Sequence, residues 1–137
     1  MRFTKTDSRY RFLSVRFPFR SCTGAYFDFP SLPSNTLSAK VNTTVRFPFK
    51  LINTGCSLSD FFRLKVAKVS SFNKIQCVLP HINGSCRPPL RESSCSCGEE
   101  VGIYQFIHTA EKSDNTTWVW FTDSGEVQEK ELDFNVI

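Results

Sequence analysis

Across its 137 residues the chain is poor in histidine, alanine and methionine, and no window sustains a helical apolar stripe. The opening MRFTKTDSRYRFLSV lacks the apolar stretch of roughly 7–15 residues that a secretion signal requires, so neither a signal nor a membrane span is expected in these residues. A secreted protein with this start would have had its signal removed or replaced. G-x-S-x-G, H-E-x-x-H and phosphate-loop sequences are missing, and the only histidines, His81 and His108, stand in no motif that supplies a base to a nucleophile. Glu99, Glu100 and Glu126 form no specific carboxylate pair. No catalytic residue, enzyme activity or cofactor is therefore expected. Zinc is disfavoured too: Cys77, Cys86, Cys95 and Cys97 are separated by eight, eight and one residues, unlike paired C-x2–4-C knuckles. The basic side chains have no helix pattern, zinc-finger spacing or glycine-framed aromatic strand to present them, which argues against a nucleic-acid partner.

What the chain does have is phenylalanine, 14 residues of it, with seven prolines and short alternating runs broken by Asn, Ser, Gly and Pro. Strands are predicted at Arg9–Phe19, Leu37–Leu51, Phe61–Val69, Lys74–Leu79, Gly102–Ala110, Thr117–Thr122 and Val127–Val136. This pattern is all-β, with length for one compact sandwich or barrel. The second run sets Val41, Thr43, Val45, Phe47 and Phe49 on one face and Asn42, Thr44, Arg46 and Lys50 on the other, with Pro48 marking an edge or bulge. Val15-Arg-Phe-Pro-Phe-Arg20 recurs as Val45-Arg-Phe-Pro-Phe-Lys50, too few copies for a repeat architecture. Residues 1–21 are thus a basic N-terminal segment, either an extra strand or a flexible tail, ahead of a domain at 22–137.

Six cysteines, Cys22, Cys56, Cys77, Cys86, Cys95 and Cys97, are an even set, and four crowd a loop-forming stretch at 77–97. Disulfides pinning that loop would each contribute about 2–4 kcal/mol. Cys95 and Cys97 should seek different partners, and sequence does not choose among the pairings. Three acceptor triplets for N-linked glycans, at Asn42, Asn83 and Asn115, lie in polar, turn-like surroundings. Together with the cysteines they point to an oxidising, extracellular setting. The net charge of +4 conceals polarity: residues 1–21 carry six basic side chains against Asp7, and residues 99–137 carry nine acidic ones against Lys112 and Lys130. Such polarity is either a solvated face and a tail, or a means of steering an oppositely charged partner.

Glu100-Val-Gly-Ile-Tyr-Gln-Phe106 resembles the D-x-G-x-Y-x-C segment at strand F of immunoglobulin-superfamily domains, with Gly102 and Tyr104 retained and Phe106 in place of cysteine. Val45–Leu51 resembles strand B, with Phe47 or Phe49 where the first sheet-bridging cysteine stands. Phe61 or Phe62 falls at the strand C position of the family's buried tryptophan, and Glu129–Val136 resembles strand G. The resemblance implies a divergent variable-type (V-set) sandwich of two antiparallel sheets whose central disulfide is replaced by aromatics, Phe47 or Phe49 meeting Phe106 between the sheets and Tyr104 securing the turn. Trp118, Trp120 and Phe121 read either as part of a long strand G, with core packing for at least one tryptophan, or as an aromatic edge exposed for binding.

Such domains are mostly modules of cell-surface receptors and adhesion proteins, invertebrate allorecognition receptors among them. The implied function is extracellular recognition or adhesion, with another protein as partner, another copy of the chain included, and membrane attachment only through parts outside this sequence. The alternative is a secreted disulfide-rich ligand or effector that uses the 77–97 loop on a foreign receptor. A third reading, a secreted hydrolase, would require a histidine bonded to a nucleophile in an exposed cleft.

Overall fold

The computed structural model describes residues 22–69, 74–89 and 93–137. The basic segment 1–21, with its predicted strand Arg9–Phe19, lies outside the described residues. Ten strands follow: β1 (Ala25–Asp28), β2 (Thr36–Ala39), β3 (Thr44–Asn53), β4 (Phe61–Val69), β5 (Lys74–Ile82), β6 (Ser85–Cys86), β7 (Cys95–Cys97), β8 (Ile103–Thr109), β9 (Thr117–Thr122) and β10 (Lys130–Val136). They form a four-stranded sheet, β1-β3-β8-β7, packed on a six-stranded sheet, β2-β10-β9-β4-β5-β6. Ladders are antiparallel except between β2 and β10.

Strand alternation accounts for the core. In β3, Phe47 and Phe49 turn inward and Arg46 outward, and in β8 their register partners Phe106 and Tyr104 do the same. The predicted strand Leu37–Leu51 is two strands, because β2 pairs with one sheet and β3 with the other. A chain that changes sheets must leave the ladder, and it does so at Lys40–Thr43, where Asn42 takes φ 70° and the Thr43 N–H bonds the Lys40 carbonyl. Gly102 enters β8 at φ 82°, a backbone geometry that suits a residue without Cβ. The 77–97 stretch is not all loop, since β5 runs through Cys77 to Ile82 and β7 includes both Cys95 and Cys97.

One strand sits elsewhere than the resemblance implied. β8 lies between β3 and β7 in the four-stranded sheet, whereas a strand F would lie beside β10 and β4. That place belongs to β9. Phe47 and Phe106 therefore meet side by side on neighbouring strands, ring centroids 4.9 Å apart, rather than across the two sheets. What crosses the interior is Trp120 of β9, within 5.8 Å of Phe49, 5.6 Å of Phe106, 6.2 Å of Phe47 and 4.8 Å of Phe29. Trp118 adds edge contact with Phe106 at 5.5 Å. Offset and edge-on ring pairs of this kind are each worth about 0.5–1.5 kcal/mol beyond their area. A buried aromatic cluster thus stands where a central disulfide would.

Candidate interaction surface

Two of the three cross-links lie at one margin. Cys77 of β5 pairs with Cys95 of β7, and Cys86 of β6 pairs with Cys97, so both bonds join the six-stranded sheet to the four-stranded one. Cys22 pairs with Cys56, tying the entry to β1 to the loop after β3. With all six sulfurs so engaged, no thiolate remains for a metal.

Two polar links cross the interior. His81 of β5 and Tyr104 of β8 lie 2.7 Å apart, Nε2 to hydroxyl. The Leu79 carbonyl, 3.0 Å from Nδ1, can only accept, which places the ring proton on Nδ1 and makes the tyrosine the donor to Nε2. Burial lowers the His81 pKa, opposed by the Leu79 bond, and burial raises that of Tyr104 well above the usual phenol range. Tyr104 thus binds a side chain of the opposite sheet, not the backbone of a corner. Phe62 is buried with its ring stacked on His81 at 4.6 Å, while Leu64 and Val66 of the same strand fill the main core.

The second link centres on Asp114, fully buried in the short 3-10 helix Lys112–Asp114. It accepts from Lys68 Nζ at 2.9 Å, the Glu111 N–H at 2.9 Å and His108 Nε2 at 2.8 Å. Burial alone would raise its carboxyl, but these donors outweigh that effect and hold it below the ordinary carboxylate value. Ser94 Oγ lies 2.8 Å from His108 Nδ1, completing a serine–histidine–aspartate chain. It is a tie and not a catalytic relay. Lys68 already neutralises the aspartate that would stabilise an imidazolium, and the N–H groups of Ser94 and Cys95 are spent on the Gln76 carbonyl and Ser93 Oγ, leaving neither for an oxyanion. His108 stands in no recognisable motif, and Asp114, six residues on, is the one sequence signal that could have pointed to this pairing.

Trp118 and Trp120 are both 0% exposed and Phe121 only 3%, so the aromatic edge expected for binding is not available. The tryptophans point into the main core from a central strand, and Phe121 joins Ala67, Val69 and Val119 in a small second cluster on the other side of β9. Exposed apolar groups occur instead along β4 and β5. Phe61, 53% exposed, is the register partner of Ile82, and Ile75 is that of Ala67. Strand parity puts Phe61, Ile82, Val78 and Pro80 on the outer face of the six-stranded sheet, since Cys77, Leu79 and His81 turn inward, and a register shift between Val66 and Ala67 brings Ile75 to that same face opposite Ala67. Lys65 of β4 and Glu131 and Asp133 of β10 share that face by the same parity. Asn42, Asn83 and Asn115 are all exposed, the first two in turns with positive φ.

Comparison with solved structures decides the fold. The RIG-5 IG1 homodimer structure aligns at a TM-score of 0.53 with 11% identity, over 82% of this chain and 99% of that one. A structure from work on multimeric cell-adhesive interactions of VGSC beta subunits aligns at 0.56 with 15% identity, over 74% and 90%. The extracellular domain of the voltage-gated sodium channel beta4 subunit, described as a parallel homodimer, aligns at 0.51 with 13% identity, over 74% and 89%. The chain has an immunoglobulin-like fold. In that fold's strand letters β1, β3, β8 and β7 are A, B, E and D, and β4, β9 and β10 are C, F and G. The immunoglobulin-like D-x-G-x-Y-x-C frame then falls on Asp114-x-Thr116-x-Trp118-x-Trp120, which keeps only the acid. No protein-family model matches the sequence, and comparison with curated proteins finds no match.

Proposed function

We propose that this chain is an extracellular recognition domain of the variable immunoglobulin type that binds a second copy of itself through the apolar patch that β4 and β5 expose on the outer face of the six-stranded sheet. The observation carrying this reading is the set of exposed apolar side chains, Phe61, Ile75 and Ile82, gathered on one face. Beside them, basic Lys65 and acidic Glu131 lie on strands either side of β9, so a two-fold contact can set unlike charges opposite each other. β5 and β6 extend the sheet beyond strand C, as the additional strands of variable domains do, which supports that type. The self-association described for RIG-5 IG1 and the sodium channel beta4 domain supports the homophilic form, as would suit an adhesion or allorecognition receptor. The paired cysteines and exposed glycan acceptors support a secretory route and the ectodomain of a membrane-anchored protein. Among the described residues no helix is long and apolar enough to cross a membrane.

Analytical ultracentrifugation at low and high salt tests the reading. The wild-type chain is expected to dimerise, more tightly at low salt, and the Phe61→Glu/Ile82→Glu variant to stay monomeric with an unchanged melting temperature. A wild-type monomer at every concentration would overturn self-recognition and favour a different partner.

A further inference from the structure

We propose that a groove at the end of β10 seats the innermost sugars of a glycan carried by Asn115. The groove, about 390 Å³, is lined by Thr36, Thr117, Asp133 and Asn135, with Asn115 itself on the rim. That volume is within the range of small-ligand sites, and the lining of hydroxyl, carboxylate and amide groups suits a polyhydroxylated ligand.

The carboxamide of Asn115 is held in a way that serves the attachment. Its Oδ1 accepts the Val136 N–H at 3.0 Å, which leaves Nδ2, the atom that carries the sugar, as the free end of the amide. An N-glycosylated amide keeps its oxygen as an acceptor, so this bond survives modification. Thr117, the third residue of the acceptor triplet, donates its hydroxyl to Asp133 Oδ1 at 3.2 Å. Asp133 Oδ2 has no hydrogen-bond partner among the described residues and can accept from a sugar hydroxyl or the acetamido N–H of an N-acetylglucosamine.

Attachment uses a lipid pyrophosphate-linked oligosaccharide. The C1–oxygen bond to phosphate breaks as the C1–Nδ2 bond forms, the amide loses one proton, and the lipid pyrophosphate leaves. Transfer to the chain before folding avoids competition with the Thr117–Asp133 bond.

The inference rests on the secretory part of the reading above but not on self-association. Glycopeptide mass spectrometry of protein secreted from eukaryotic cells reads occupancy at all three acceptors. Melting temperatures of wild type, Asn115→Gln, Asp133→Ala and the double variant then form a cycle. The expected result is an occupied Asn115 and an Asp133→Ala loss larger by about 3 °C or more with the glycan present than in the Asn115→Gln background. Should Asn115→Gln fail to be secreted, enzymatic removal of the glycan from folded wild-type and Asp133→Ala proteins closes the same cycle. Sugar at Asn42 or Asn83 with Asn115 empty, or an equal Asp133→Ala loss in both backgrounds, overturns the groove assignment alone. No sugar at any acceptor would sink the secretory reading with it.

Discussion

The Tyr104 hydroxyl donates to His81 Nε2 at 2.7 Å and so joins the two sheets through a hydrogen bond between side chains, beside the Cys86–Cys97 cross-link, whose cysteines are the register partners of these two residues. Both residues are buried, so neither can exchange its partner for water. Tyr104→Phe keeps the ring stacked on Phe49 and leaves a buried imidazole nitrogen without its donor. The variant should lose about 1–3 kcal/mol in urea unfolding with an unchanged m-value. A loss below about 0.3 kcal/mol would mean that the bond contributes nothing net.

Acid should weaken the fold in two stages. His81 is held below its ordinary value of 6.5, so below that pH the unfolded chain takes up a proton that the folded chain refuses. Its contribution is complete above pH 6.5 and falls as pH drops toward the lowered value. Asp114 acts lower: its carboxyl is held below 3.8, so its stabilisation is present above that pH and is lost as pH falls through the depressed value. Chemical denaturation from pH 8 to 3 should show both declines, and His81→Phe should abolish the upper one. Persistence of the same slope between pH 6.5 and 5 in that variant would assign it elsewhere.

Asp114 and Lys68 are a buried pair, and the two halves are unequal. Asp114 receives three donors, so Asp114→Asn strands the Lys68 ammonium and disturbs the His108 and Glu111 contacts together. A cost of about 3–5 kcal/mol is expected. Lys68→Met leaves the aspartate its other two donors and retains apolar contact with the Trp118 ring, over which Nζ lies at 5.9 Å, so it should cost less. Thermal unfolding of the two variants reads the order, and a reversal would show that Lys68, not Asp114, organises the cluster.

Trp118 and Trp120 are equally buried but differently satisfied. Trp118 Nε1 donates to the Asp114 carbonyl at 3.0 Å, whereas Trp120 Nε1 is buried with no hydrogen-bond partner among the described residues. Replacement by phenylalanine removes similar volume at each site, yet only at Trp118 does it also break a hydrogen bond. Trp118→Phe should therefore be the more destabilising by about 1 kcal/mol. Equal losses in denaturant unfolding would indicate that ring volume alone decides both.

Much of the sandwich was legible because alternation is a local signal. Phe61–Val69 and Thr117–Thr122 were bounded from the sequence, and the inward set of β3 followed from the period of two. β1, β6 and β7 were not, since strands of two to four residues carry too little pattern to separate from turns. Strand F was misplaced for a different reason. Gly102 and Tyr104 matched a motif by residue identity, while the segment in that place, Asp114 to Trp120, had exchanged both aromatic and sulfur for tryptophan. The apolar face at Phe61, Ile75 and Ile82 went unseen, because it depends on which side of the sheet is covered.

The sequence by itself determined that this is a β-sandwich stabilised by buried rings, with paired cysteines and turn-borne glycan acceptors, because alternation, composition and spacing act over a few neighbouring residues. Tertiary structure alone decided that Trp120 fills the centre, that two cross-links join the sheets at one margin, and that His108 finds Asp114 and Ser94. Those outcomes depend on which strands become neighbours, and strand order is set by the burial of whole faces rather than by any single segment.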